Sequence, residues 1–78
     1  MKKSSIKHLC TIISRSEVAR VAVKKGSLKV GVSLRTVSGW CKNGYAPIEY
    51  HESLAYCKKN KGRITLDDLY SDLRNKIL

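Results

Sequence analysis

One stretch constrains the fold more than any other: Val30-Gly31-Val32-Ser33-Leu34-Arg35-Thr36-Val37-Ser38-Gly39-Trp40. A glycine between two valines suits a chain leaving a helix through the left-handed backbone conformation, which glycine adopts at little cost. Ser33 follows as a helix N-cap, its hydroxyl able to accept from free N–H groups of the next turn. Val37 and Trp40 then recur at i, i+3 and give the new helix one buried edge. Leu34, Arg35, Ser38 and Gly39 are left facing outward. The pattern predicts the turn and second helix of a helix-turn-helix motif spanning about residues 21–43. A short, polar, lysine-flanked outer face is what a helix inserted in a DNA major groove requires.

Helix signals surround this motif. Ser4 or Ser5 caps a first helix with Ile6, Leu9, Cys10 and Ile13 at i, i+3, i+4, i+7. The next segment admits two registers. In one, residues 16–25 are helical and Gly26 ends the helix. In the other, favoured because it keeps the inter-helix turn short, the first motif helix runs from about Val21 to Val30. Ser27 then packs against the second helix, and Gly26 costs about 1 kcal/mol inside the first. Asn43-Gly44 stops the recognition helix.

Downstream, Pro47 opens a helix at its first position, with Glu49 and Glu52 favouring the positive end of the dipole. Ile48, His51 and Ala55 form one stripe of it, beside Tyr50, Leu54 and Cys57. The helix runs over about 47–60 and stops at Asn60-Lys61-Gly62. Arg63-Ile64-Thr65 is extended at most. Thr65 with Asp68 caps a last helix over about 66–77, where Leu66, Leu69, Tyr70, Leu73 and Ile77 hold a 3.6 period and Asp67, Asp68, Asp72, Arg74 and Lys76 point mostly outside. The pattern predicts a single all-α domain over 1–78, a compact bundle of about five helices. The two C-terminal helices close the core or meet a second subunit.

Charge separates the chain into halves. Residues 1–44 hold ten Lys/Arg against Glu17 alone, a net of +9, whereas residues 45–78 net only +1. A one-sided basic field is the footprint of a polyanion-binding face, though it does not by itself separate duplex DNA from RNA or an anionic membrane. The opening lysines Lys2 and Lys3 lead into a stretch broken by Lys7, His8 and Thr11, which argues against a signal peptide. No apolar run approaches the ~20 residues of a membrane span, and the expected location is the cytoplasm. Cys10, Cys41 and Cys57 are odd in number and lack C-x-x-C spacing, so neither a disulfide framework nor a zinc site is expected. With no phosphate loop or nucleophile motif, no catalysis, cofactor or small-molecule ligand is expected either.

The candidates for function are therefore surface residues. Leu34, Arg35, Ser38, Gly39 and Lys42 are the base-contacting set. Arg35 can reach guanine O6 and N7 together, Leu34 can lie against a thymine methyl, and Gly39 lets backbone approach the duplex. Ser33, Thr36 and Asn43, with Lys24, Lys25 and Lys29, are phosphate contacts that position the protein without choosing sequence. Trp40 belongs to the core rather than to a base-stacking platform.

The run Lys25-Gly26-Ser27-Leu28-Lys29-Val30-Gly31-Val32-Ser33 through Val37-Ser38-Gly39-Trp40 resembles the helix-turn-helix of small phage regulators of the Cro type. Pro47, a following helix and Gly62-Arg63-Ile64-Thr65-Leu66-Asp67-Asp68-Leu69 look like the tail of the YdaS-type, Cro-like prophage proteins, so the likeness covers roughly residues 21–70. It implies a lambda-repressor-like domain, a repressor role, and a homodimer on a palindromic double-stranded operator, with Leu34, Arg35, Ser38 and Gly39 as base readers. Val32 to Val37 followed by Lys42 to Pro47 also suits excisionase-like architectural proteins, which place a β-hairpin wing after the proline. An antitoxin or other protein-interaction module, its basic face on an acidic partner, is the alternative from a different class.

Overall fold

The structure, a computed structural model, describes residues 4–77, and of residue 77 the backbone alone. Lys2, Lys3 and the side chain of Ile77, the last position of the C-terminal apolar stripe, lie outside the described residues. Five α-helices occur among these residues: α1 (Ser5–Ile13), α2 (Arg15–Val21), α3 (Leu34–Asn43), α4 (His51–Ala55) and α5 (Leu66–Ile77). Two 3-10 turns, Ile48–Tyr50 and Lys58–Asn60, flank α4. No strand forms among the described residues, only an isolated antiparallel bridge between Val23 and Val30. The all-α expectation therefore holds. No described helix is long and apolar enough to cross a membrane.

The core follows the predicted stripes. Ile6, Leu9 and Ile13 of α1 join Val18 and Ala19 of α2, Val37 and Trp40 of α3, Leu54 of α4, Leu69 of α5 and Ile64 of the connector before it in one core. Each fully buried Ile or Leu contributes about 1.5–3 kcal/mol relative to exposure. Trp40 is 6% exposed, and its ring lies 5.0 Å from that of Tyr50 at a tilt of 48°, so it packs inside as expected. Local caps also form where the sequence puts them. Ser4 Oγ accepts from Lys7 N at 3.4 Å, and Ser33 Oγ from Thr36 N at 3.2 Å. Thr65 and Asp68 exchange backbone-to-side-chain bonds of 3.0 and 3.2 Å at the start of α5. Gly44 ends α3 in the left-handed conformation at φ 88° and donates its N–H to Trp40 O.

Residues 21–30 overturn the favoured register. There is no helix from Val21 to Val30; the helix that precedes α3 is α2, which ends at Val21. The alternative register holds over residues 16–21 and fails beyond them, because residues 22–25 are not helical and Gly26 (φ 84°) sits in a turn rather than just past a helix. The chain runs out and back as a small hairpin with Val23 opposite Val30, where two β-branched residues favour extended backbone. It then returns to the end of α2: Gly31 N donates to Ala22 O at 2.6 Å, and Val32 N to Ala19 O at 2.8 Å. Gly31 does adopt the predicted positive φ, 97°. Its place is corrected: it closes the base of the hairpin.

The helix predicted over 47–60 is likewise broken. Pro47, extended at ψ 145°, precedes the first 3-10 turn instead of standing inside a helix. Helix α4 ends at Ala55 because Asn60, fully buried, donates through Nδ2 to Ala55 O at 2.7 Å and Ile64 O at 2.8 Å, and accepts from Ile64 N at 3.0 Å. Ile48, 55% exposed, leaves the stripe assigned to it, as does Tyr70 at 50% on α5. Asp72 corrects the opposite way. Predicted outside, it is buried, and its two carboxylate oxygens accept from Ser5 N (2.8 Å) and Ile6 N (2.9 Å), tying α5 to the positive end of α1.

Candidate nucleic-acid interface

Helix α3 buries Val37, Trp40 and Cys41 and leaves the rest of its surface open. Arg35 and Lys42 are exposed, Leu34 is 53% exposed, and Ser38 and Gly39 are half-buried. Arg35, Ser38 and Lys42 fall at i, i+3, i+7 and share one stripe of the helix. A side chain added at Gly39 would meet nothing within 4 Å, so an approaching backbone finds open space there. The base-contacting candidates are thus brought together on one side of α3, with Leu34, Arg35 and Lys42 exposed and Ser38 and Gly39 half-buried between them.

The phosphate-contacting candidates fare unequally. Ser33 and Thr36 hydroxyls lie 2.8 Å apart beside the N-cap bond, at the exposed start of α3. Asn43 is exposed at its end. Lys29 is exposed on the hairpin, with no carboxylate within ion-pair distance among the described residues. Lys24 and Lys25 instead face Glu49 at 3.6 Å and Glu52 at 3.5 Å, which offsets their charge locally. Such exposed pairs are weak, about 0–1 kcal/mol, and a phosphate can compete for them.

The stripe of α3 borders a cleft of about 510 Å³ whose far wall belongs to α1 and the start of α2. Lys7, Thr11 and Arg15 line that wall, opposite Ser38 and Lys42. Among the described residues, three cations and no carboxylate therefore line one opening beside the exposed edge of α3. Sequence pattern singled out none of the three far-wall residues. The signal was present in Lys7 and Thr11 at i, i+4 on the outer face of an amphipathic helix, but their nearness to α3 depends on how α1 packs. The carboxylates lie elsewhere. Glu17 binds Arg20 at 2.6 Å and Lys59 at 3.4 Å, and Asp72 is committed to α1. Comparisons with protein-family models, with curated proteins and with solved structures returned no match.

Proposed function

We propose that this chain is a sequence-specific double-stranded-DNA-binding regulator that lays the outer stripe of α3 in the major groove. Arg35 and Ser38 read base edges, Lys42 reads or positions, and Lys7 and Arg15 hold a neighbouring phosphate. The observation that carries the proposal is the Arg35–Ser38–Lys42 stripe beside a cleft that, among the described residues, is lined by three cations and no carboxylate. Electrostatic attraction supplies affinity there, and the side chains of α3 supply choice. The likeness to Cro-type phage regulators supports a repressor in a bacterial cytoplasm, working as a homodimer on half-sites about one helical turn apart. The hairpin of residues 22–31 takes the place of a short turn between α2 and α3 and leaves Lys29 exposed, where a phosphate of the same duplex can reach it. The excisionase-like reading is disfavoured, since the residues after Pro47 form a 3-10 turn and α4 where that reading needs a hairpin.

The test is selection from randomised duplex DNA at physiological salt, followed by Arg35→Ala. One motif emerges, and the variant loses about 1–3 kcal/mol of discrimination at a single base pair while keeping its melting temperature. Enrichment of no motif overturns the proposal. Loss of an acidic protein partner on Arg35→Ala plus Ser38→Ala, with duplex affinity unchanged, would replace it with the protein-interaction reading.

A further inference from the structure

Two of the three cysteines meet across the α1–α3 interface: Cys10 Sγ and Cys41 Sγ are 3.2 Å apart, both as free thiols. They form the floor of the cleft whose walls carry Lys7, Arg15 and Lys42. The sequence offers no hint of the pairing, since the two stand 31 residues apart with no recognised spacing.

We propose that Cys10 and Cys41 are a dithiol modification site that a small anionic disulfide converts to an intramolecular disulfide. The pair needs to close from 3.2 Å to about 2.05 Å. An opening lined, among the described residues, by three cations and no carboxylate suits a disulfide bearing carboxylates, such as oxidised glutathione. One thiol of the pair, giving up its proton, attacks one sulfur of that disulfide, forming a mixed disulfide and expelling one small thiolate. The other then gives its proton to a small thiolate, attacks the protein sulfur of the mixed disulfide and expels the second small thiolate, which takes up the first proton. In sum, two protein S–H groups and one small disulfide become one protein S–S bond and two small thiols. The protein loses two electrons and the small disulfide gains them.

Burial, reinforced by the hydrogen bond with Cys41, pushes the Cys10 thiol up to about 12, with Arg15 opposing. The pair therefore rests as thiols until the small disulfide arrives. Cys57 stands apart at the start of the second 3-10 turn and serves as an internal control. The bond would lock α1 to α3 beside Ser38 and Lys42. None of this depends on what α3 binds.

The full chain is incubated with oxidised glutathione, quenched with acid, and assayed by free-thiol titration and peptide mass mapping. The expected product keeps one free thiol of three, carries no glutathione and yields a linked Cys10–Cys41 peptide. Cys10→Ser and Cys41→Ser each yield no linked peptide and go no further than an adduct on the remaining thiol of the pair. The linked peptide should form at a glutathione ratio at least about tenfold more reducing in the folded chain than in urea, because folding raises the effective concentration of the two sulfurs. Three surviving thiols, independent adducts without the linked peptide, or equal linkage in urea would each overturn the proposal. Lys7→Gln should slow oxidised glutathione while leaving neutral hydroxyethyl disulfide unchanged, and equal slowing would overturn the anionic co-substrate.

Discussion

The chain between α2 and α3, residues 22–33, and the chain between α4 and α5, residues 56–65, are similar in length and held by different means. The first is fastened at its base by main-chain groups: Gly31 and Val32 donate to the end of α2, Val23 N donates to Ser53 Oγ at 3.0 Å, and Lys25 N to Glu49 O at 2.9 Å. Its outer side chains contribute little to the fold, and Leu28 is wholly exposed (101%). The second is wound about one side chain, Asn60, which is wholly buried and makes three hydrogen bonds to backbone. A connector fastened by its main chain leaves its side chains available to a partner. One fastened by a side chain has spent that residue on the fold.

The largest effect expected from this difference is on Asn60. Asn60→Ala leaves Ala55 O, Ile64 O and Ile64 N without their partners in buried surroundings and should cost about 3 kcal/mol, read as a lower urea midpoint. Next comes Gly31→Ala at the base of the hairpin. Its φ of 97° makes a side chain strained, at about 1–2 kcal/mol, while the added Cβ meets Ala19 O and Arg20 O only at the ordinary distances of 3.5 and 3.7 Å. Gly26→Ala has a similar φ of 84° but sits at the open tip with nothing within 4 Å, where the turn can relax. It should cost less than Gly31→Ala. Equal costs would mean that the tip is as firmly held as the base, and the contrast between the connectors would fail.

That contrast also divides what the sequence makes legible. Helix α3 is readable because its cap, buried edge and stop all lie within twelve residues, Ser33 to Gly44, and act through bonds to neighbours in the chain. The Thr65–Asp68 exchange at α5 is local in the same sense. The Arg35–Ser38–Lys42 stripe follows from α3 alone. By contrast, Asp72 looks like a solvent-facing acid until α5 is docked, because the N–H groups it accepts from belong to residues 5 and 6. Asn60 looks like a helix stop, and its actual work, gathering Ala55 and Ile64, needs the turn already folded. The misreading of residues 21–30 has a local cause. Their alanine, lysines and leucine permit a helix, but Val23 and Val30 flank a Gly-Ser turn and can pair across it. The cationic cleft and the thiol pair are invisible for the same reason as Asp72: each needs α1 set against α3.

A smaller effect sharpens the comparison from the side of the first connector. Lys29→Ala should leave stability within about 0.5 kcal/mol, since its side chain serves no buried contact. If the hairpin reaches a phosphate, the log–log salt slope of duplex binding falls by about 0.9. Fluorescence anisotropy at a series of salt concentrations measures it. A lower melting temperature with an unchanged slope would instead make the hairpin tip structural.

The smallest effect concerns the second connector, where Lys59 reaches Glu17 of α2 at 3.4 Å. The Glu17 carboxyl is held below its ordinary value of 4.5, first by its bond to Arg20 and then by Lys59, against the opposing pull of burial. A carboxyl lowered in the folded state stabilises the fold above its unfolded pKa, and that contribution fades as the pH falls through the folded value. Arg20, raised by the same contact, remains charged throughout, so the carboxyl alone sets the dependence. Glu17→Gln should therefore be less stable than the parent at neutral pH, with the gap closing as the pH drops below 4.5. Lys59→Met should close part of the same gap, and salt should shrink both because the partners are exposed. A gap that Lys59→Met leaves untouched would put the whole effect on Arg20. The second connector would then owe its side-chain fastening to the Asn60 amide without help from Lys59, which sets it still further from the first, where main-chain bonds to α2, Ser53 and Glu49 hold the base.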